Sequence, residues 1–314
     1  MTPALRREHH LAQSFAQHQA SPGELDGFTE PFGMGLHHVF VLRVNGNDWV
    51  GRKVLQHSES VGWHISSVLK PWMLLGPLAQ WHWGNQGLVI YFRAVSAQEK
   101  EIVFHNALAQ PDSEVSFPFP AMEDSGRECV CSPEYWRCNE SLATQLNADE
   151  RHFRQHCASL LKSLSLPGAV IHDPACSTGE FIAHLARELP DRQCVGSDRS
   201  ASMIEHAKKH HGTSSARFYL ADARHIATTG SQCDVMILRF LNAEVMTRKE
   251  AQRAFHAMVA CVKPGGTILL FGHTPVLIAV PYMAQALKLE LVSSVAARPG
   301  HTELFQFYRL RTPA

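Results

Sequence analysis

Residues 170–181, VIHDPACSTGEF, join an apolar run to a turn and then to a helical pattern, and place one acid, Asp173, and one glycine, Gly179, at the junction. Such a loop seats a nucleotide when glycine lets the backbone come close and the free N–H groups of a helix start offer donors to an anionic group. Ala175 and Ser177 stand where dinucleotide-binding loops carry glycine, so the approach is narrowed and the loop is a poor cradle for a pyrophosphate. Gly179 keeps the close approach at the helix start. Asp198 follows 19 residues after Gly179, at the end of the next apolar run, QCVGSD. From that position a carboxylate accepts hydrogen bonds from both hydroxyls of a ribose.

Metal chemistry finds less support. Cys129, Cys131 and Cys138 are close in sequence but lack the paired C-x2-C spacing of a zinc knuckle, and the eight cysteines together read as reduced thiols. His152 with His156, and His206 with His210, share helix faces at i, i+4 spacing. Arg154 lies between the first pair and Lys208 and Lys209 between the second, and this positive charge disfavours a cation. No metal site is expected.

The elements that must position these residues alternate regularly from about Gly168 onward. GAVIHD, QCVGSD, ARFYLAD, CDVMILRF and GGTILLFGH read as five strands. TGEFIAHLAREL, SASMIEHAKKHH (capped by Ser200) and TRKEAQRAFHAMVACV (capped by Thr247) read as helices between them. This β-α-β order builds a parallel sheet with a ligand site at the carboxyl ends of its strands. Two final extended runs, LKLELVSSVAAR and TELFQFYRL, predict an antiparallel hairpin at the sheet edge. The expected class is therefore α/β, a Rossmann-like, mostly parallel sheet of seven strands, spanning residues 135–314. Residues 1–134 read as a separate α+β module, a lid or substrate module bearing Trp63, Trp72, Trp81 and Trp83. In it HHVFVLRVN, GLVIYFRAVS and EKEIVFHNAL read as strands, the last two as a hairpin across Ala97 and Gln98. NADERHFRQHCASLLKSL reads as a helix leading into the sheet domain.

Lys plus Arg and Asp plus Glu number 29 each in 314 residues, so no broad basic surface is available for a nucleic-acid backbone. The N-terminal stretch is interrupted by charge where a signal peptide needs an apolar core, and no run has the length of a membrane span. The expectation is a cytoplasmic protein without nucleic-acid or membrane partners; the sequence gives no oligomeric state.

DPACSTGEF, the acidic strand end VGSD, LADAR and VKPGGTILL occur in the order and spacing of the class I S-adenosylmethionine (SAM)-dependent methyltransferases, which residues 135–314 resemble. The resemblance implies SAM as cofactor. Asp173 would orient its ammonium group, directly or through water. Ala175, Ser177 and Gly179 would seat the methionine arm, and Asp198 the ribose. Asp222 would accept from the adenine amino group and the Ala223 backbone would read the ring edge. Arg199 and Arg239 complete the cofactor set. Tyr135 and Trp136, upstream of the loop, would cover the methionine end, where aromatic faces stabilise a sulfonium. The loop is also similar to the DPACGTG of adenine-specific DNA methyltransferases, but no NPPY-like segment follows the fourth strand.

Small-molecule O-methyltransferases carry a histidine base after the fourth strand, where this sequence has Asn242 and Ala243. An amide cannot take a proton from a phenol. The acceptor is then already nucleophilic, or the base comes from the N-terminal module, where His37, His38, His64 and His82 are candidates. The first expectation is methyl transfer to a small molecule, of secondary-metabolite type, with Tyr135, Asn139 and Asn242 as catalytic candidates. The second follows the SAM-cyclising azetidine-2-carboxylate synthases: SAM alone is the substrate, its amine attacks its own γ-carbon, and methylthioadenosine leaves.

Overall fold

The computed structural model describes residues 3–17, 21–59, 62–123, 125–229 and 232–314. These residues form two units, Met1–Cys129 with Ser293–Gln306, and Val130–Val292 with Phe307–Ala314. The chain thus changes unit at 129/130, against a sequence-based boundary at 134/135, and residues 293–306 return to the first unit.

The first unit contains α1 (Pro3–Gln17), β1 (Leu25–Pro31), β2 (Val39–Val44), β3 (Asn47–Arg52), β4 (Gln56–Ser58), β5 (Gly62–His64), β6 (Leu74–Gly84), β7 (Gly87–Arg93), α2 (Ala97–Ala109) and β8 (Glu114–Ser116). Six of these strands form one sheet, β1-β7-β6-β3-β2-β8, and β4 and β5 form a two-stranded ribbon. Alternation along β2 sends Phe40, Leu42 and Val44 to one core, shared with Val103 and Phe104 of α2, and Val39 to the other, shared with Val50, Ile90 and Phe92. Both faces of the sheet are therefore covered. Residues 99–108 are not the expected strand but the body of α2. Ser96 and Glu99 make a reciprocal capping box, with Ser96 Oγ accepting from Glu99 N and the Glu99 carboxylate accepting from Ser96 N. That S-x-x-E signature outweighs the β-branched pair in the middle of the segment. The hairpin partner of β7 is β6, which accommodates Pro77 beside a register shift between Leu78 and Gln80.

Arg52 is completely buried, and its five N–H donors are all used. Nε and Nη2 donate to Glu30, Nη1 and Nη2 to Glu8, and Nη1 to the Lys53 carbonyl. The pairing fastens α1, through Glu8, to the sheet. Removing one member strands opposite charge in a dry interior.

The second unit contains α3 (Glu140–Asp149), α4 (Arg151–Ser163), β9 (Val170–Asp173), α5 (Glu180–Glu188), β10 (Gln193–Asp198), α6 (Ala201–His211), β11 (Arg217–Leu220), β12 (Cys233–Leu238), α7 (Arg248–Val259), β13 (Val262–Phe271) and α8 (Val280–Ala286). Two further strands, β14 (Glu290–Ala296) and β15 (Phe305–Arg311), complete a seven-stranded sheet in the order β11-β10-β9-β12-β13-β15-β14. β9 to β13 pair in parallel, and β15 runs antiparallel to β13. The order reverses between β9 and β12, so the ends of β9, β10 and β12 face the crevice where open α/β sheets bind ligands. Thr247 caps α7 as expected, with Glu250 completing the box. Ser200 precedes α6 but its hydroxyl contacts Ser202 Oγ instead of capping the helix. A stack of Phe153, Phe271 and Phe307, with neighbouring centroids 4.8 Å apart, fixes α4 against the sheet core.

Arg52→Leu is expected to cost about 3–5 kcal/mol, because Glu8 and Glu30 are left without their counter-charge. Chemical denaturation measures this, and an unchanged midpoint would contradict the role given to the triad.

Candidate active site

The loop after β9 is held by its own neighbours. Asp173 is fully buried; Oδ1 accepts from Ala175 N (3.1 Å) and Oδ2 from Arg239 Nε (2.8 Å). Cys176 N donates to the Ser197 carbonyl of β10 at 2.8 Å. Ser177 takes a left-handed conformation (φ 52°) and gives its N–H to Asp198 Oδ2 at 2.9 Å. Asp198 Oδ1 accepts from Ser200 N at 2.8 Å. The serine thus occupies a glycine-type conformation, and the bond to Asp198 helps offset its cost.

Gly179 is needed for another reason than the sequence suggests. Its φ is +80°, and a Cβ there would lie 2.7 Å from Ala207 Cβ and 2.8 Å from the Phe218 ring. Its bare side faces protein, and its N–H is spent on the Cys176 carbonyl. Close approach is also required at Gly196, where a Cβ would meet Cys176 at 2.9 Å.

Arg239, just past β12, was named from sequence; its second partner, Glu150, was not. The guanidinium lies 4.6 Å over the Phe181 ring, with Nε on Asp173 and Nη1 on Glu150 at the α3–α4 junction. Burial disfavours its charge, but Asp173 and Glu150 outweigh burial and raise its pKa. Asn147 Oδ1 accepts from Thr178 Oγ1 at 2.9 Å, a second tie from α3 to the loop. No local motif marks Glu150, which is 89 residues from its arginine.

The other expected residues divide. Asp198 is partly exposed, and burial raises its pKa against the pull of the Ser200 and Ser177 amides. Asp222 is engaged by Arg224, through the backbone N–H (2.9 Å) and the guanidinium, and this pair lowers its pKa to about 2. The adenine contact would require Arg224 to move. Ala223 is buried and Arg199 exposed. Tyr135 is 53% exposed and meets Trp136 edge-to-face at 5.0 Å. Their segment is anchored at both ends: Cys131 N donates to the Glu244 carbonyl after β12 (2.7 Å), and Cys138 N to Ser202 Oγ at the start of α6 (3.1 Å). It therefore runs across the strand ends.

Two catalytic candidates have structural duties instead. Asn139 caps α3, accepting from Leu142 N at 2.9 Å. Asn242 is 2% exposed, donates to the Arg239 carbonyl at 2.8 Å, and packs where any Cβ on Gly272 would fall. The candidate bases of the first unit differ in their surroundings. His37 meets His38 in a tilted pair at 4.1 Å, burial lowers the pKa of His38, His64 Nδ1 contacts the Gly62 carbonyl, and the exposed His82 stacks on Tyr91. Trp81 and Trp83 meet each other and Phe119, while Trp63 sits with His9 and His57, so the tryptophans do not form one cluster. Among the described residues no group of three metal-ligating side chains exists, and no helix is long and apolar enough to cross a membrane.

Residues 171–266, from β9 into β13, match the family model described as "Methyltransferase domain". Over that span the chain is similar to methyltransferase domains. The curated isonocardicin synthase of Nocardia uniformis subsp. tsuyamanensis is 29% identical over 239 residues, covering 76% of this chain and 77% of that protein. Among solved structures, the N-methyltransferase NodS of Bradyrhizobium japonicum WM9, in complex with S-adenosyl-L-homocysteine, is 18% identical with a TM-score of 0.44. It covers 58% of this chain and 96% of NodS. A TehB-like SAM-dependent methyltransferase of Corynebacterium glutamicum ATCC 13032 Kitasato is 17% identical with a TM-score of 0.42, covering 58% and 100%.

Class I methyltransferase domains use SAM, and the donor set here fits it. Asp198 ends β10 with one amide on each oxygen, leaving further lone pairs for hydroxyl donors.

Asn242→His is expected to lower the melting temperature without creating a base, since the larger ring has no room against Gly272. Thermal unfolding together with turnover of a phenolic acceptor checks this; a stable, faster enzyme would contradict it.

Proposed function

We propose that the chain is a SAM-dependent transferase acting on a small molecule, and that methyl transfer is its reaction. The observation that carries this is the Ser177–Asp198 seat at the ends of β9 and β10, within the span that matches the methyltransferase domain. When bound, SAM supplies a sulfonium-activated carbon to a nucleophile. The chain's own part is positional. Asp198 accepts from the ribose hydroxyls, and the turn through Ala175 and Ser177, held in shape by Asp173 and Asp198, forms the floor under the methionine arm. Tyr135 and Trp136 lie on the segment that crosses the strand ends, where an aromatic wall favours the sulfonium and excludes water.

Asn242 offers no base, so the acceptor must enter as a competent nucleophile or lose its proton elsewhere. The similarity to isonocardicin synthase spans 239 residues, more than residues 130–314 contain, and therefore reaches into the first unit. This supports assigning the first unit to acceptor binding. Its exposed Trp81 and Trp83, both edge-on to Phe119, and Phe32, stacked on Trp83, suit a flat apolar molecule.

A second reading is attack of the SAM amine on its own γ-carbon, which closes a four-membered ring as the C–S bond breaks and methylthioadenosine leaves. The sealed Asn242 is compatible with it, and the relative's name, a synthase and not a methyltransferase, favours keeping it.

Incubation with SAM, alone and with small phenols, amines and thiols, followed by mass spectrometry, separates the two. S-adenosylhomocysteine formed only with an acceptor is the expected result; methylthioadenosine well above its spontaneous rate would select the second reading. Asp198→Ala should weaken SAM binding by about tenfold or more, since two hydroxyls lose a charged acceptor. Unchanged affinity by calorimetry would remove Asp198 from the seat.

A further inference from the structure

The sequence makes Asp173 the acid that meets the ammonium group of the methionine arm. Its carboxylate is sealed: the side chain has no exposed surface, one oxygen holds Ala175 N, and the other holds Arg239 Nε. A ligand cannot reach it without breaking the bonds that shape the loop. A second carboxylate sits on the same guanidinium. Glu150 pairs with Arg239 Nη1, and its side chain retains 16% of its surface open. It stands between α3 and α4, where the backbone (φ −92°, ψ 0°) breaks one helix from the next.

From this contrast we propose that Glu150 is the positioning carboxylate for the α-ammonium of the methionine arm, and that Asp173 only shapes the loop. The inference rests on the reading that this loop seats SAM. Two features of the site support it. Arg239 fixes one side of the Glu150 carboxylate while leaving acceptor capacity on the other. Asn147, three residues earlier, bonds Thr178, so the α3–α4 junction is tied to the loop at two points. Asp173 and Glu150 together place two carboxylates on one guanidinium. Arg154, one turn along α4, also faces Glu150 and balances this charge, its Nη2 bonded to the Asn147 carbonyl, so an ammonium is met by the local acceptor and not by a net negative field. A cation arriving at the open side of Glu150 gains a charge-assisted hydrogen bond in a partly dry setting. The same placement bears on both chemical outcomes, because an amine held on Glu150 is kept from wandering toward the arm's own γ-carbon.

The test is a calorimetric cycle with three ligands: S-adenosylhomocysteine, its analogue lacking the amino group, and methylthioadenosine, which lacks the whole arm. Glu150→Gln should weaken S-adenosylhomocysteine by about tenfold or more, and leave the deaminated analogue and methylthioadenosine within about twofold. Glu150→Asp should recover part of the loss. Equal weakening of S-adenosylhomocysteine and the deaminated analogue would mean that Glu150 acts through Arg239 and not on the amine. Tighter binding by Glu150→Gln would mean that the carboxylate blocks the seat. Either result overturns the proposal, and melting curves of both variants identify loss of fold. A wild-type protein that binds none of the three ligands would instead overturn the SAM reading on which the inference rests.

Discussion

The carboxyl end of the second unit's sheet is organised around a buried cation, Arg239. Arg239 has no bulk water to solvate it, so its charge is tolerable only because Asp173 and Glu150 accept from it and Phe181 lies under its face. Each partner belongs to a different part of the chain: the end of β9, the α3–α4 junction and the first turn of α5. Holding the arginine therefore holds these elements together at the carboxyl end of the sheet. Asp173, once oriented by the arginine, can present its other oxygen to Ala175 N, which starts the turn that continues through Cys176 and Ser177 to Asp198. The recognition surface follows from an internal ion pair. The first unit uses the same device at Arg52, where the aim is to fasten a helix.

This organisation changes what the odd loop means. Ser177 holds a left-handed conformation through its bond to Asp198, while Gly179 and Gly196 are required on the protein side, where Ala207, Phe218 and Cys176 press in. Asn242 shows the same economy. A polar residue where related enzymes place a base is here packed on Gly272 and bonded to the Arg239 carbonyl, so it keeps the arginine's backbone in place and has no access to an acceptor.

The parallel alternation, the end of β10 at Asp198 and the Thr247 cap were legible in the sequence, because strand period, acid placement and capping chemistry are local signals. Misread elements had competing local signals. Residues 99–108 contain Ile102 and Val103, which suggest a strand, but Ser96 and Glu99 start a helix, and tertiary burial of Val103 and Phe104 decides the outcome. Glu150, by contrast, had no local signal: it is an ordinary acid in a charged helical stretch until folding brings β12 beside it. Asp222 is legible as an acid after the third strand, but spacing alone does not reveal its capture by Arg224 two residues later.

The claim on which the account turns is that Arg239 couples the α3–α4 junction to the nucleotide loop. Hydrogen–deuterium exchange of Arg239→Gln against the wild-type protein tests this directly. The account predicts faster exchange at both residues 147–151 and 173–179, with β13 and β15 unchanged. Exchange confined to the immediate neighbours of residue 239, with both of those segments as protected as in the wild type, would contradict it.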